Sequence, residues 1–281
     1  MGLVLAFLSA IVYGCADFCG GKSTRKAASS TVTFSSQLAG LVVLGAALFF
    51  VPGDGPSLRV LGFGALGGLG GALGILLLYH GLAFGTMSIV SPVAAVTAAT
   101  IPVTVGTVIL GERPGWLPLV GIAFALTAIG LVSLNGGGGG PTPHSARIVF
   151  IALGAGIGFG LFFVFLQRAG DPKVVGLWGL VGARPVSIAV SGLLATRQHK
   201  ALFPSRAVWP LVALAGVLDQ LANVLYVLSI GHGLLSLLAV LASLYPVSTV
   251  ALARIIDRER LRPVQVAGLG FALLGLVLIA L

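Results

Sequence analysis

Of the seven carboxylates in this 281-residue chain, two stand where an ion is hardest to keep. Asp17 and Asp219 lie inside long apolar stretches, as does the guanidinium of Arg184. Asp219 is near the middle of its stretch, with Gln220 beside it and Asn223 one helical turn on. The other acids, Asp54, Glu112, Asp171, Asp257 and Glu259, fall in polar breaks or at the ends of apolar stretches. A charge at the centre of a membrane-spanning segment costs at least ~2.5 kcal/mol, so it must face protein or water. Two readings follow for Arg184 and Asp219. They pair and lock two segments together, or they line a polar cavity and touch a solute or a proton. Asp17 is about one turn from the end of its stretch, where a carboxylate can reach water and pair with Lys22 or Arg25; otherwise it joins the cavity set. Asn223, Tyr13, Tyr79 and Gln37 complete the candidate binding residues, with plain packing as the alternative for Tyr79 and Tyr226.

This is binding chemistry and not the chemistry of a soluble enzyme. Gly62-Phe63-Gly64-Ala65-Leu66-Gly67 satisfies G-x-G-x-x-G, but it sits inside an apolar run with no strand before it and no acid ~20 residues on. The same glycines give small-xxx-small spacings at Gly64/Gly68, Gly67/Gly71 and Gly70/Gly74, which let lipid-embedded helices approach closely. No nucleophile elbow, zinc-protease motif or Walker A motif occurs, so no enzymatic role is expected. Cys15 and Cys19 share one helical face without His or acid partners, so they read as packing residues, and no metal or cofactor is implied.

The segments that carry these residues are set by composition. The chain is 57% hydrophobic and 8% charged, with a mean hydropathy of +1.11. A soluble domain carries roughly 25% charge, so a water-exposed surface cannot be built here. The net charge of +9 comes from lysines and arginines scattered singly between apolar runs. That excludes a nucleic-acid face and suits helix ends that meet anionic lipid. The first run lacks a basic leader and an A-x-A cleavage site, so it is predicted to be a spanning helix and not a signal peptide.

Ten runs can be marked, at about 3–20, 31–51, 58–80, 88–110, 116–134, 147–167, 173–195, 207–230, 234–256 and 263–280. Most approach the ~20 residues that a helix needs to cross a bilayer. Within runs 4, 7 and 9, Pro92, Pro102, Pro185 and Pro246 each free a carbonyl and predict kinks. The longest polar break, 135–146, holds Gly136 to Gly140 with Pro141 and Pro143 and reads as a flexible linker. It separates residues 1–134 from 147–281. Tyr79 to Leu134 repeats at Tyr226 to Leu281, an offset of 226 − 79 = 147 that superposes Glu112 on Glu259, Arg113 on Arg260 and Gly121 on Gly268. Tyr13-Gly14 likewise corresponds to Phe159-Gly160. Two related halves with five crossings each must be inverted relative to one another, so the expected fold is all-α, ten spans in two inverted five-helix repeats. Counting Lys and Arg at the helix ends places more of them opposite the N-terminus than beside it, which favours an outside N-terminus.

The ten-run layout, the five-plus-five repeat, Tyr13-Gly14, and the run-4 and run-9 endings Leu110-Gly111-Glu112-Arg113-Pro114 and Asp257-Arg258-Glu259-Arg260-Leu261 together resemble the EamA type of the drug/metabolite transporter superfamily. Pro246, thirteen before Glu259, matches the family's run-9 proline, whereas the first half has Ala99 there and its proline at 102, which predicts a kink one turn later. Arg184 matches a basic residue often found in that family's seventh helix. The resemblance implies a secondary transporter of the bacterial inner membrane, an exporter of small metabolites such as amino acids. It implies cytoplasmic termini, against the charge count. It also implies a cavity between the halves lined by runs 1, 3, 4, 6, 8 and 9. Glu112, Arg113, Glu259 and Arg260 are then expected to fix loop geometry, and a proton is coupled if an acid titrates in the cavity. A non-transporting scaffold or sensor would instead be a solid bundle, and a lipid-carrier translocator would open sideways to the bilayer.

Overall fold

The computed structural model describes residues 1–51, 53–85, 87–113, 115–133, 143–257 and 263–280. Among them no strand occurs. The helices are α1 (Gly2–Thr24), α2 (Ser29–Phe50), α3 (Leu58–Phe84), α4 (Met87–Thr104), α5 (Trp116–Ser133), α6 (Pro143–Ala169), α7 (Pro172–Val175), α8 (Trp178–Arg197), α9 (Trp209–Ile230), α10 (Leu235–Ala242), α11 (Tyr245–Ile256) and α12 (Pro263–Ala280). Among the described residues, eight segments are long and apolar enough to cross a membrane: α1, α2, α3, Val90–Ile109, Arg147–Ala169, α8, α9 and Leu235–Ile256. They cover eight of the ten expected runs. Runs 5 and 10 are the eighteen-residue helices α5 and α12, which are not among those eight. Large apolar side chains such as Phe49 and Leu58 are 87% and 92% exposed, a surface that only lipid or a partner can cover.

Four runs depart from single unbroken helices with the marked bounds, two of them, runs 4 and 9, at expected kinks. Run 7 comes in two pieces. Asp171 caps α7 by accepting from the Lys173 amide at 3.0 Å, and Pro172 opens that turn. Gly176 then takes φ +56°, a left-handed conformation that ends it before α8 begins. Run 9 breaks at Ser243-Leu244, because Pro246 has no N–H to continue α10 and can only start α11. In the first half, with Ala99 in that place, α4 runs on through Pro102 and loosens one turn later into a π-helical turn at Val105–Ile109. Finally, α6 starts at Pro143, inside the expected linker, whose residues 135–142 lie outside the described residues.

Packing obeys the internal repeat. In the first half α3 packs on α6 and α8; its counterpart α9 packs on α1 and α2. α4 against α6 is matched by α10 and α11 against α1, while α2–α8 and α5–α12 map onto themselves. The α5–α12 seam joins repeat mates directly: Phe124 and Phe271 stack with centroids 5.3 Å apart. Glycine permits the closest crossings. A Cβ on Gly14 would collide with the Tyr245 carbonyl and Ser248 hydroxyl at the break between α10 and α11, and one on Gly160 would lie 2.8 Å from Ile101 Cβ and 3.2 Å from the Ala98 carbonyl. These neighbours are themselves 147 apart. On α3, Gly64 and Gly68 seat the backbones of Gly179 and Ala183 in α8, while Gly70 and Gly74 seat Gly158 in α6. The small-residue stripe therefore serves two helix contacts at once.

The halves are tied at both ends of α1. Near its N-terminus, where Gly2 meets His232, the Glu112 carboxylate accepts from the amides of Leu235 at 2.8 Å and Ser236 at 3.0 Å. A first-half acid thus caps a second-half helix, where the N–H groups and the helix dipole favour an anion. At the far end Lys22 and Arg25 bridge to Asp257 at 2.8 and 3.2 Å.

Candidate functional site

Six of the seven candidate binding residues converge on one cavity of about 50 Å³ between the halves, room for a few water molecules. The first half contributes Tyr13 and Asp17 from α1, Gln37 from α2 and Gly71 and Ile75 from α3. The second contributes Arg184 and Ser187 from α8, Asp219 and Asn223 from α9, and Tyr245 from the start of α11. Phe159, Phe162 and Phe163 of α6 form an aromatic wall.

Arg184 and Asp219 do both things expected of them. They pair, Nη2 to Oδ2 at 3.1 Å, and they line the cavity. Only 7% of the Arg184 side chain and 15% of Asp219 is exposed. The pair is embedded in a relay. Asn223 Nδ2 donates to the Asp219 carboxylate at 3.2 Å and to its main-chain carbonyl at 2.6 Å, and the Tyr13 hydroxyl donates to Asn223 Oδ1 at 2.9 Å. The spacing of α9 produces this, since Asp219 and Asn223 are i and i+4 and share one face. Tyr13 reaches across from α1 because α1 and α9 pack side by side, and Ser9 of α1 donates to the Ala222 carbonyl at 2.8 Å.

Asp17 takes the buried alternative. It is 7% exposed, and the cations expected to meet it, Lys22 and Arg25, are held by Asp257 one to two turns further along. Among the described residues its carboxylate has no hydrogen bond or ion pair. Gln37, 4% exposed, also faces the cavity with its Oε1 unpartnered.

Tyr79 does not line the cavity. It is fully buried between α3 and α1, where its ring occupies the space left by the missing side chain of Gly20. Its repeat mate Tyr226 packs against Phe163 at 4.5 Å. The expected lining helices need revision too. Run 4 contributes no lining residue, whereas runs 2 and 7 supply Gln37 and Arg184. Glu112 holds the N-terminus of α10 and not Arg113, whose side chain is exposed without a hydrogen bond among the described residues. Glu259 and Arg260 lie outside the described residues. Pro246 stands at the start of α11 next to the lining residue Tyr245.

Sequence reasoning missed Tyr245, Ser187 and the phenylalanine wall. Two signals could have found Phe159 and Tyr245. The offset that superposes Tyr13-Gly14 on Phe159-Gly160 (159 − 13 = 146) puts Phe159 opposite Tyr13. The aromatic residue before Pro246 was marked by the helix break itself. Ser187 carries no such signal; it donates to the Gly68 carbonyl at 2.9 Å and ties α8 to α3.

No curated protein matches this chain. A solved structure described as "Crystal structure of protein" shares the fold, with a TM-score of 0.76 at 16% identity over 99% of this chain and 95% of that one. The model of the EamA-like transporter family matches twice, over residues 1–134 and 146–281, once for each half that meets at the cavity. The chain therefore belongs to the EamA-like transporter family of the drug/metabolite transporter superfamily and is a multi-pass membrane protein.

Proposed function

We propose that the protein is a secondary transporter of the bacterial inner membrane that exports small metabolites such as amino acids, with Asp219, Asn223, Arg184, Tyr13, Asp17 and Gln37 as the solute site. The observation that carries this reading is a cavity lined by both family-matched halves, largely apolar in wall, on which Tyr13, Asp17, Gln37, Arg184, Asp219 and Asn223 converge. The structure gives eight long spans; in this reading α5 and α12 cross as well, so that each half has five crossings, and an odd number per half sets the repeats upside down to each other. Alternating access then consists of rocking one half against the other, releasing the Glu112 cap at one end or the Asp257 bridges at the other. The carboxylates of Asp17 and Asp219 are the groups that would carry a coupled proton. A scaffold needs every buried polar group paired, and the unpartnered Asp17 and Gln37 Oε1 count against it. The test is flux in reconstituted vesicles across amino acids, nucleosides and cationic drugs, with and without a pH gradient. Flux above protein-free vesicles for at least one class is expected; protein-free rates for every class contradict the reading.

A further inference from the structure

The relay from Tyr13 through Asn223 to Asp219 and Arg184 is closed on itself: each acid, amide and hydroxyl in it has a partner within 3.2 Å. Besides the N–H groups of Arg184 that do not face Asp219, three polar groups on the cavity wall stand outside the relay. The Asp17 carboxylate is more than nine-tenths buried and unpartnered among the described residues, and the Gln37 Oε1 and Tyr245 hydroxyl are buried without a hydrogen bond. These are acceptors, with one hydroxyl that can also donate. The charges agree. Two carboxylates and one guanidinium line the cavity, and Asp219 already pairs with that guanidinium, so Asp17 is the carboxyl group left without a counter-ion. An incoming carboxylate would have to share Arg184 with Asp219 and would stand beside two like-charged groups, Asp219 and Asp17. A group with several N–H donors and one positive charge would satisfy all three orphans. The rings of Phe159 and Phe163 beside them add the attraction of a π face for a cation.

We infer that the cavity binds the ammonium end of a small organic cation, with Asp17 as its counter-ion and Gln37 and Tyr245 as neutral acceptors. This rests on the cavity being the solute site and narrows the substrate class to ammonium compounds, cations ahead of zwitterions and both ahead of anions. Direct evidence comes from four probes on one carbon skeleton: alaninamide as the cation, alanine as the zwitterion, lactamide as the neutral form and lactate as the anion. Binding to the detergent-purified full chain is read by titration calorimetry. Alaninamide is expected to bind at least about tenfold more tightly than lactamide, and lactate most weakly. In Asp17→Asn the alaninamide preference is expected to fall below about twofold. That substitution removes no hydrogen bond seen here, and a melting curve checks that the variant is folded. Tyr245→Phe, which keeps the ring, provides a second reading and should weaken alaninamide while sparing lactamide. The inference is overturned if lactate rivals alaninamide, if alaninamide does not bind, or if its preference survives Asp17→Asn. Counterflow of labelled alaninamide in vesicles separates the two claims. Binding that depends on Asp17 without flux leaves the ammonium site and removes the transporter; flux without charge preference does the reverse.

Discussion

Replacing Asp219 should separate the fold from the transport step. Its carboxylate is 3.1 Å from Arg184 Nη2 with both side chains largely buried. At that distance, with an effective dielectric near 20, the attraction is roughly 5 kcal/mol before desolvation is subtracted. Asp219→Ala strands the guanidinium in the bundle and should cost about 3–5 kcal/mol. Asp219→Asn keeps an acceptor for Arg184 and leaves Asn223 its 2.6 Å bond to the residue-219 carbonyl, so about 1.5–3 kcal/mol is expected. Against a total of ~5–15 kcal/mol the asparagine variant stays folded and the alanine variant is marginal. The double variant Arg184→Leu/Asp219→Leu removes both charges and should recover most of the stability lost by the alanine variant, yet transport nothing. Thermal unfolding in detergent and counterflow at matched protein amounts read the two quantities. Wild-type flux through Asp219→Asn would take Asp219 out of the solute path. A wild-type melting temperature for Asp219→Ala would mean that the ion pair contributes nothing to the fold.

Other positions give sharper packing tests. Gly14→Leu forces a side chain into the backbone at Tyr245 and should cost at least ~1–3 kcal/mol with loss of transport, measured by melting and counterflow. Glu112→Ala uncaps α10 and should cost about 1–2 kcal/mol while raising the labelling rate of a cysteine placed at Leu234; an unchanged rate would mean that the cap does not hold that end shut. Phe124→Ala and Phe271→Ala, combined in a double-mutant cycle, should show a coupling of ~0.5–1.5 kcal/mol in unfolding, since the rings stack across the α5–α12 seam.

Long-range order was easier to read in this chain than short-range placement. Apolar length and the 147-residue offset expose the runs and the two halves, because a bilayer imposes length and duplication leaves its register. Pro246 marked the run-9 break for the same reason: a missing N–H is a local covalent fact. Gly176 also ends a helix, but a single glycine among many does not announce a left-handed turn. Side-chain destinations depend on neighbours that sequence does not pair. Asp17 could have met Lys22, but Asp257 of the other half claims it, and Tyr79 leaves the cavity because Gly20, 79 − 20 = 59 residues away in sequence, makes room for it elsewhere. Glu112 looked local beside Arg113, yet its partners are the amides of Leu235 and Ser236 in the other half.

Transport by this protein requires two halves set head to tail in the lipid around a shared cavity. With Cys15 and Cys19 replaced by alanine, single cysteines at Arg113 and Arg260 can be challenged with a membrane-impermeant maleimide in sealed right-side-out and inside-out vesicles. The account predicts that one corner is labelled only from the outer face and the other only from the inner face. Labelling of both corners from the same compartment would contradict it.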